Sequence, residues 1–230
     1  MTEPKIVYRD NDCVIYSDVV GTLEVNCYIV VDRASKKCWI VDPGGDAETV
    51  IGRVKQLEVN PVAVVNTHGH ADHIGANNEV SKTFEIPIWA PEGDATMLID
   101  AWKNLSAAYG PPITSEPANR LLHDGETLVL GGLSFKVHHV PGHTMGEVMM
   151  YRPNVALVGD VLFAQSVGRT DLPGGDSVTL WESISEKILV LPDDTQLLPG
   201  HGPTTTVGVE RRFNPFLMNN GLLLREGAFD

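Results

Sequence analysis

Residues 68–73 read His-Gly-His-Ala-Asp-His, three histidines and an aspartate within six positions. An isolated histidine is ordinarily a polar group satisfied by its neighbours. Four potential ligands at this density, directly after the apolar run Val62–Val65, are better explained by a metal ion. Imidazole suits zinc, copper, iron and nickel, and the added carboxylate keeps zinc or iron in play. Three later segments repeat one pattern, an apolar run ending in a metal-competent residue beside glycine. They are Val140-Pro141-Gly142-His143, Leu157-Val158-Gly159-Asp160 and Leu198-Pro199-Gly200-His201. Glycine lets backbone and ion approach closely, and a strand end holds a ligand more firmly than a loop tip does.

Those positions need elements to carry them. Strand-like runs rich in β-branched and aromatic residues occur at Ile6–Tyr8, Val14–Tyr16, Leu23–Val31 and Trp39–Val41. Further short strands are expected at Pro87–Ala90, Thr127–Leu130, Ser134–Val140, Glu147–Tyr151, Val155–Val158 and Gln196–Leu198. Asp46 is a candidate cap for a helix with Val50, Ile51, Val54 and Leu57 on one face. Asp176 or Ser177 can cap another that carries Leu180, Ile184 and Ile188 at four-residue intervals. Strands cluster with helices interspersed in both halves, which predicts two packed sheets flanked by helices. The Pro-rich stretch Tyr109–Pro117 is expected to be a surface loop near a site. With no linker or short-period repeat, residues 1–230 are read as a single domain.

Composition narrows the partners. The formal net charge of -13 would repel a phosphate backbone, which disfavours nucleic acid. It does not forbid small anions, because a cationic metal inverts the local field. Cys13, Cys27 and Cys38 lie far from the histidine run at unmatched spacings and read as reduced thiols inside strands. No stretch reads as a signal peptide or a membrane span, so the expected location is the cytoplasm, with no membrane partner. The oligomeric state is left open.

The HxHxDH run, followed by separate His, Asp and His, resembles the signature of the metallo-β-lactamase superfamily, with all seven positions filled. The resemblance implies an α+β fold, a four-layer αββα sandwich. It implies two divalent metal ions, one held by His68, His70 and His143 and the other by Asp72, His73 and His201, with Asp160 bridging. Asp72 and Asp160 would then be the catalytic carboxylates beside a metal-bound hydroxide. His70 stands where diiron members carry glutamate, which favours zinc, with iron or manganese as alternatives. Zinc has no redox chemistry, and this points to hydrolysis.

Within the superfamily, VDPGGDAE (41–48), VGRTDLPGGD (167–176), LPGHGPTTT (198–206) and RRFNPFL (211–217) resemble the glyoxalase-II-like group, closest to its short single-domain members. That likeness implies a thioesterase cleaving S-D-lactoylglutathione or a related small-molecule thioester. A leaving thiol with a pKa of about 8.5 departs as thiolate without strong acid assistance. Full-length glyoxalase II grips glutathione largely through a C-terminal helical domain, for which the residues after Asn214-Pro215-Phe216 are too few. Arg211, Arg212 and Asn214 are the candidates for a glutathione carboxylate. The rival readings are a persulfide dioxygenase with one iron on His68, His143 and Asp160, a lactonase, a β-lactamase and a non-catalytic binding module. Asp42 is a candidate for orienting a ligand histidine, and Arg169 with Asp171 for bracing the site. His123, His138, His139, Tyr28 and Trp102 are expected at the surface or in the core rather than at the site.

Overall fold

The structure is a computed structural model, and it describes residues 3–218 and 221. Two sheets face one another. The first holds β1 (Lys5–Arg9), β2 (Cys13–Val20), β3 (Val25–Asp32), β4 (Lys37–Val41), β5 (Asn60–Val65), β6 (Ile88–Pro91) and β7 (Arg120–Leu122), in that spatial order. Its first four strands pair antiparallel and the rest parallel. The second contains β8 (Thr127–Leu130), β9 (Leu133–His139), β10 (Val148–Arg152), β11 (Val155–Gly159), β14 (Gln196–Pro199) and β15 (Thr205–Thr206). Between β11 and β14 lies a two-stranded hairpin, β12 (Leu162–Phe163) with β13 (Ser166–Val167).

The layering follows from strand alternation. β3 reads VNCYIVVD and is buried along its whole length. Tyr28 and Val30 enter the core between the sheets, where Trp39 meets Phe135 edge-on at 5.5 Å. Cys27, Ile29 and Val31 face the other way, toward α1 (Ala47–Leu57) and α3 (Asn77–Phe84) through Val50, Val54 and Val80. A strand buried on both faces is expected to be apolar, and this one is from Cys27 to Val31, while the polar Asn26 and Asp32 near its ends are hydrogen-bonded. The outer face of the second sheet is covered by α6 (Ser177–Ser183), its continuation 184–188 and α7 (Val207–Phe213). The four layers are therefore helix, sheet, sheet, helix, as the resemblance implied.

Leu180, Ile184 and Ile188 are fully buried on one face, and the turn Ile184–Ile188 is π-helical. A strict four-residue spacing drifts around a helix of 3.6 residues per turn, and the wider turn keeps these residues aligned. Asp176 caps α6 by accepting the Thr179 N–H at 2.7 Å. Asp46 behaves differently from the expectation. It sits before α1 with φ 46° and makes no side-chain cap. Its carboxylate instead accepts the Gly21 N–H at 2.8 Å, tying the 42–46 loop to the end of β2. Among the described residues no helix is long and apolar enough to cross a membrane.

Parallel pairing gathers the site. β4 and β5 pair with Val41 opposite Val65, so Asp42 and the histidine run leave the first sheet at the same edge. β11 and β14 pair with Gly159 opposite Pro199, which brings Asp160 and His201 side by side. The β9–β10 connection carries His143 to that edge as well.

Candidate metal centre

Seven residues from four chain segments meet at this edge. Their ligand-capable atoms form three overlapping groups: His68, His70 and His143; His68, His73 and Asp160; Asp72, His73 and His201. Within each group these atoms lie within 4.8 Å of one another. His70 Nδ1 is 3.0 Å from His143 Nε2. Asp160 reaches both sides: Oδ1 is 3.5 Å from His73 Nε2, and Oδ2 is 3.6 Å from His143 Nε2 and 3.5 Å from His201 Nε2. Asp72 Oδ2 is 3.2 Å from His201 Nε2. Ligands bound at about 2.0–2.2 Å in a tetrahedron lie roughly 3.3–3.6 Å apart. The spacings here are of that size.

Unpartnered atoms test the fit. His68 Nε2, His73 Nε2 and Asp160 Oδ1 are buried without any hydrogen-bond partner. An unsatisfied buried polar group costs about 1–3 kcal/mol, and a cation in their midst removes that cost. The donor set, imidazoles with two carboxylates and no thiolate, suits divalent ions.

The other ring nitrogens are held from behind. His73 Nδ1 meets Asp42 Oδ2 at 3.0 Å, and Asp42 also accepts the Thr67 N–H and hydroxyl at 2.8 and 2.7 Å. His143 Nδ1 donates to the Arg169 carbonyl at 2.8 Å, and Arg169 forks onto Asp171. His68 Nδ1 lies 3.4 Å from Glu147 Oε1, which accepts the Asp160 N–H at 2.6 Å. Such contacts fix tautomer and ring orientation. Burial, with the other imidazoles around it, holds His68 well below its ordinary pKa, so its lone pair is free. Burial also opposes the charged form of His73, but Asp160, Asp72 and Asp42 together raise it well above the ordinary value. Burial and the Asp160 charge push Glu147 well above the usual carboxylate range.

The glycines beside these residues are needed. A methyl on Gly200 would overlap Asp160 Oδ1 and crowd His73 Cε1 at 2.7 Å. Gly142 has φ 133°, and a methyl there would run into the Leu180 backbone. Gly200→Ala is expected to push Asp160 off its position. Metal content should fall below two ions per chain by elemental analysis, while the circular dichroism spectrum is kept.

The signature described as Metallo-beta-lactamase superfamily matches residues 20–201. The chain belongs to that superfamily. As a metallo-hydrolase of the metallo-beta-lactamase superfamily, it is similar to the hydroxyacylglutathione hydrolase GloC of Haemophilus influenzae, with 39% identity over 86% of this chain and 95% of GloC. The crystal structure of BLEG-1 B3 metallo-beta-lactamase matches at 42% identity and TM-score 0.85, covering 89% of this chain and 100% of that one. The crystal structure of TTHA1623 in a di-iron-bound form matches at 35% identity and TM-score 0.79, over 87% and 99% of the two chains. The superfamily's divalent-metal chemistry suits the cluster, whose three groups fit a dinuclear site.

A cavity of about 510 Å³ opens onto the cluster, lined in part by His70, Asp72, His143, Asp160 and His201. The substrate candidates lie elsewhere. Arg211 is tied to the Leu189 carbonyl and Asp193, and Arg212 to Asp193. Asn214 is buried and donates to the Ser166 carbonyl and Glu210. None of the three lines the cavity. A pair of arginines near a helix end has the same sequence signature whether it meets a ligand or a neighbouring aspartate. Tyr28 is buried with its hydroxyl on the Pro199 carbonyl, Trp102 is exposed outside the cavity, and His123 pairs with Glu92 at the surface. Tyr109, at the head of the Pro-rich stretch, does line the cavity.

Sequence reasoning missed several supporting residues. Glu147 looked like an ordinary strand-start residue, yet it is fully buried behind His68. Asp94 is buried too, and accepts from the Gly69 and Gly146 amides and the Thr144 hydroxyl, bracing the histidine run against the His143 loop. Asn26 donates to the Pro199 and Gly202 carbonyls, clamping the His201 loop to β3.

Proposed function

We propose that the chain is a metal-dependent thioesterase acting on a small-molecule thioester. The observation that carries the reading is the position of Asp160, within 3.6 Å of His73, His143 and His201 at the floor of an open cavity. In this reading His68, His70 and His143 would hold one divalent ion and Asp72, His73 and His201 a second, with Asp160 available to both. Two such ions supply an ionised water near neutral pH and polarise a scissile carbonyl. Asp72, which lines the cavity, would accept the proton given up when that water ionises. Asp42, Glu147 and the Arg169 carbonyl keep the rings aimed.

Thioester cleavage suits what is absent from the wall. Among the described lining residues the only carboxylates are Asp72 and Asp160. No further carboxylic acid among them stands ready to protonate a leaving group, and a thiolate needs none. The 39% identity to GloC, across nearly all of GloC, supports the same choice and makes S-D-lactoylglutathione the first substrate to try. Zinc is the favoured ion, with iron kept by the di-iron-bound relative. The test is turnover of a thioester panel by enzyme loaded with zinc, iron or manganese. Metal-dependent release of free thiol is expected, and no release from any member with any ion would refute the reading.

One observation favours a second reading. The 42% identity to a protein described as a B3 metallo-beta-lactamase brings β-lactam hydrolysis into range. A chromogenic cephalosporin in the same panel separates the two, since a lactamase would turn it over faster than any thioester.

A further inference from the structure

We infer that the preferred substrate joins an apolar acyl group to an uncharged thiol, rather than a small polar acyl group to glutathione. The inference rests on the thioesterase reading and concerns the wall of the same cavity. The apolar part of that wall is Leu23, Leu105, Tyr109, Phe163 and Leu172, with Asn104 and Ser106 as its uncharged polar residues. Leu23 is 64% exposed and Tyr109 76%, so the mouth of the cavity presents apolar surface to water. Covering such surface with an apolar ligand is favourable, and a large exposed apolar side chain beside a reactive centre is a recognition feature. The volume of about 510 Å³ falls within the usual range for small-molecule sites and exceeds what a lactoyl group fills.

Charge argues the same way. Glutathione carries two carboxylates, which need cationic partners. Among the described lining residues outside the histidine cluster, Arg169 is the one cation. Its guanidinium is already forked onto Asp171, with Nε–Oδ1 at 2.9 Å and Nη2–Oδ2 at 2.8 Å. Arg211 and Arg212 are held at Asp193, outside the cavity. A formal net charge of -13 adds long-range repulsion toward any polyanionic substrate.

Four thioesters test the inference: acetyl and hexanoyl groups, each on N-acetylcysteamine and on glutathione, with metal-loaded enzyme at low ionic strength. The expected result is a kcat/KM at least fivefold higher for hexanoyl than for acetyl, and at least fivefold higher for N-acetylcysteamine than for glutathione. A smaller or reversed ratio on either axis overturns the inference while leaving thioester hydrolysis established. If none of the four is cleaved, the thioesterase reading fails separately. The cavity is then tested by calorimetry with S-hexyl-N-acetylcysteamine and S-hexylglutathione. Binding at least fivefold tighter for the neutral thioether supports the wall's preference, and a smaller or reversed difference overturns it.

Discussion

Asp160→Ala is expected to lose hydrolytic activity by roughly a thousandfold or more, the scale seen when a group acting directly on the reacting centre is removed. The reason is geometric. One carboxylate spans the cluster, with Oδ1 toward His73 and Oδ2 toward His143 and His201. Removing it leaves Asp72 as the one carboxylate among the imidazoles, with nothing between the two halves of the cluster to offset two like charges. Bound metal should fall from two ions per chain to one or fewer by elemental analysis. The fold should survive, because the backbone bond from Asp160 N–H to Glu147 does not need the side chain. Asp160→Asn keeps the shape and removes the charge, and should show the same direction of loss. Full activity with two ions retained in Asp160→Ala would refute the bridging role.

Chelation should silence the enzyme entirely and leave its secondary structure intact. Three apolar cores, between the sheets and under each helical layer, are built without the cluster. Metal-free protein should nevertheless melt at lower temperature. A ligand that binds only the folded state at a hundred times its Kd contributes about 2.7 kcal/mol. The metal-free state also carries a pH signature. Its His73 is charged because Asp160, Asp72 and Asp42 outweigh burial, which raises its pKa above the ordinary value. A raised pKa contributes stability that is fully present below about pH 6.5 and is lost as pH climbs through the folded value. Metal must displace that proton, so metal affinity should increase as pH rises through the same window. Titrations of zinc into chelated protein at pH 6 and pH 8 measure this. Collapse of the circular dichroism signal on chelation, or tighter binding at the lower pH, would contradict the account.

The ligand set was legible because its chemistry is local. His68, His70, Asp72 and His73 sit within one hexapeptide, and three glycine-flanked strand ends announced His143, Asp160 and His201. The residues behind the cluster were less legible. Asp42 is a ring-orienting candidate in the sequence, and only the contact to His73, across 31 positions, fixes that role. Glu147 and Asp94 gave no such hint, since a buried acid and a solvated one are written with the same letter. Arg211 and Arg212 show the converse, because their charge suggested a ligand while the fold placed Asp193 within reach.

Alternation and four-residue spacing determined which faces of the strands and helices are apolar, because a side chain's direction depends on its own backbone period. Local residue chemistry likewise marked the residues suited to a divalent-metal site. The strand order was decided only in three dimensions, above all the parallel pairing of β11 with β14 and of β4 with β5. That pairing depends on packing between segments far apart in the chain, which no local pattern records. It decided which groups lie close together, what stands behind each ring, and that the cavity above them is walled largely by leucines and aromatic rings, with Arg169 forked onto Asp171.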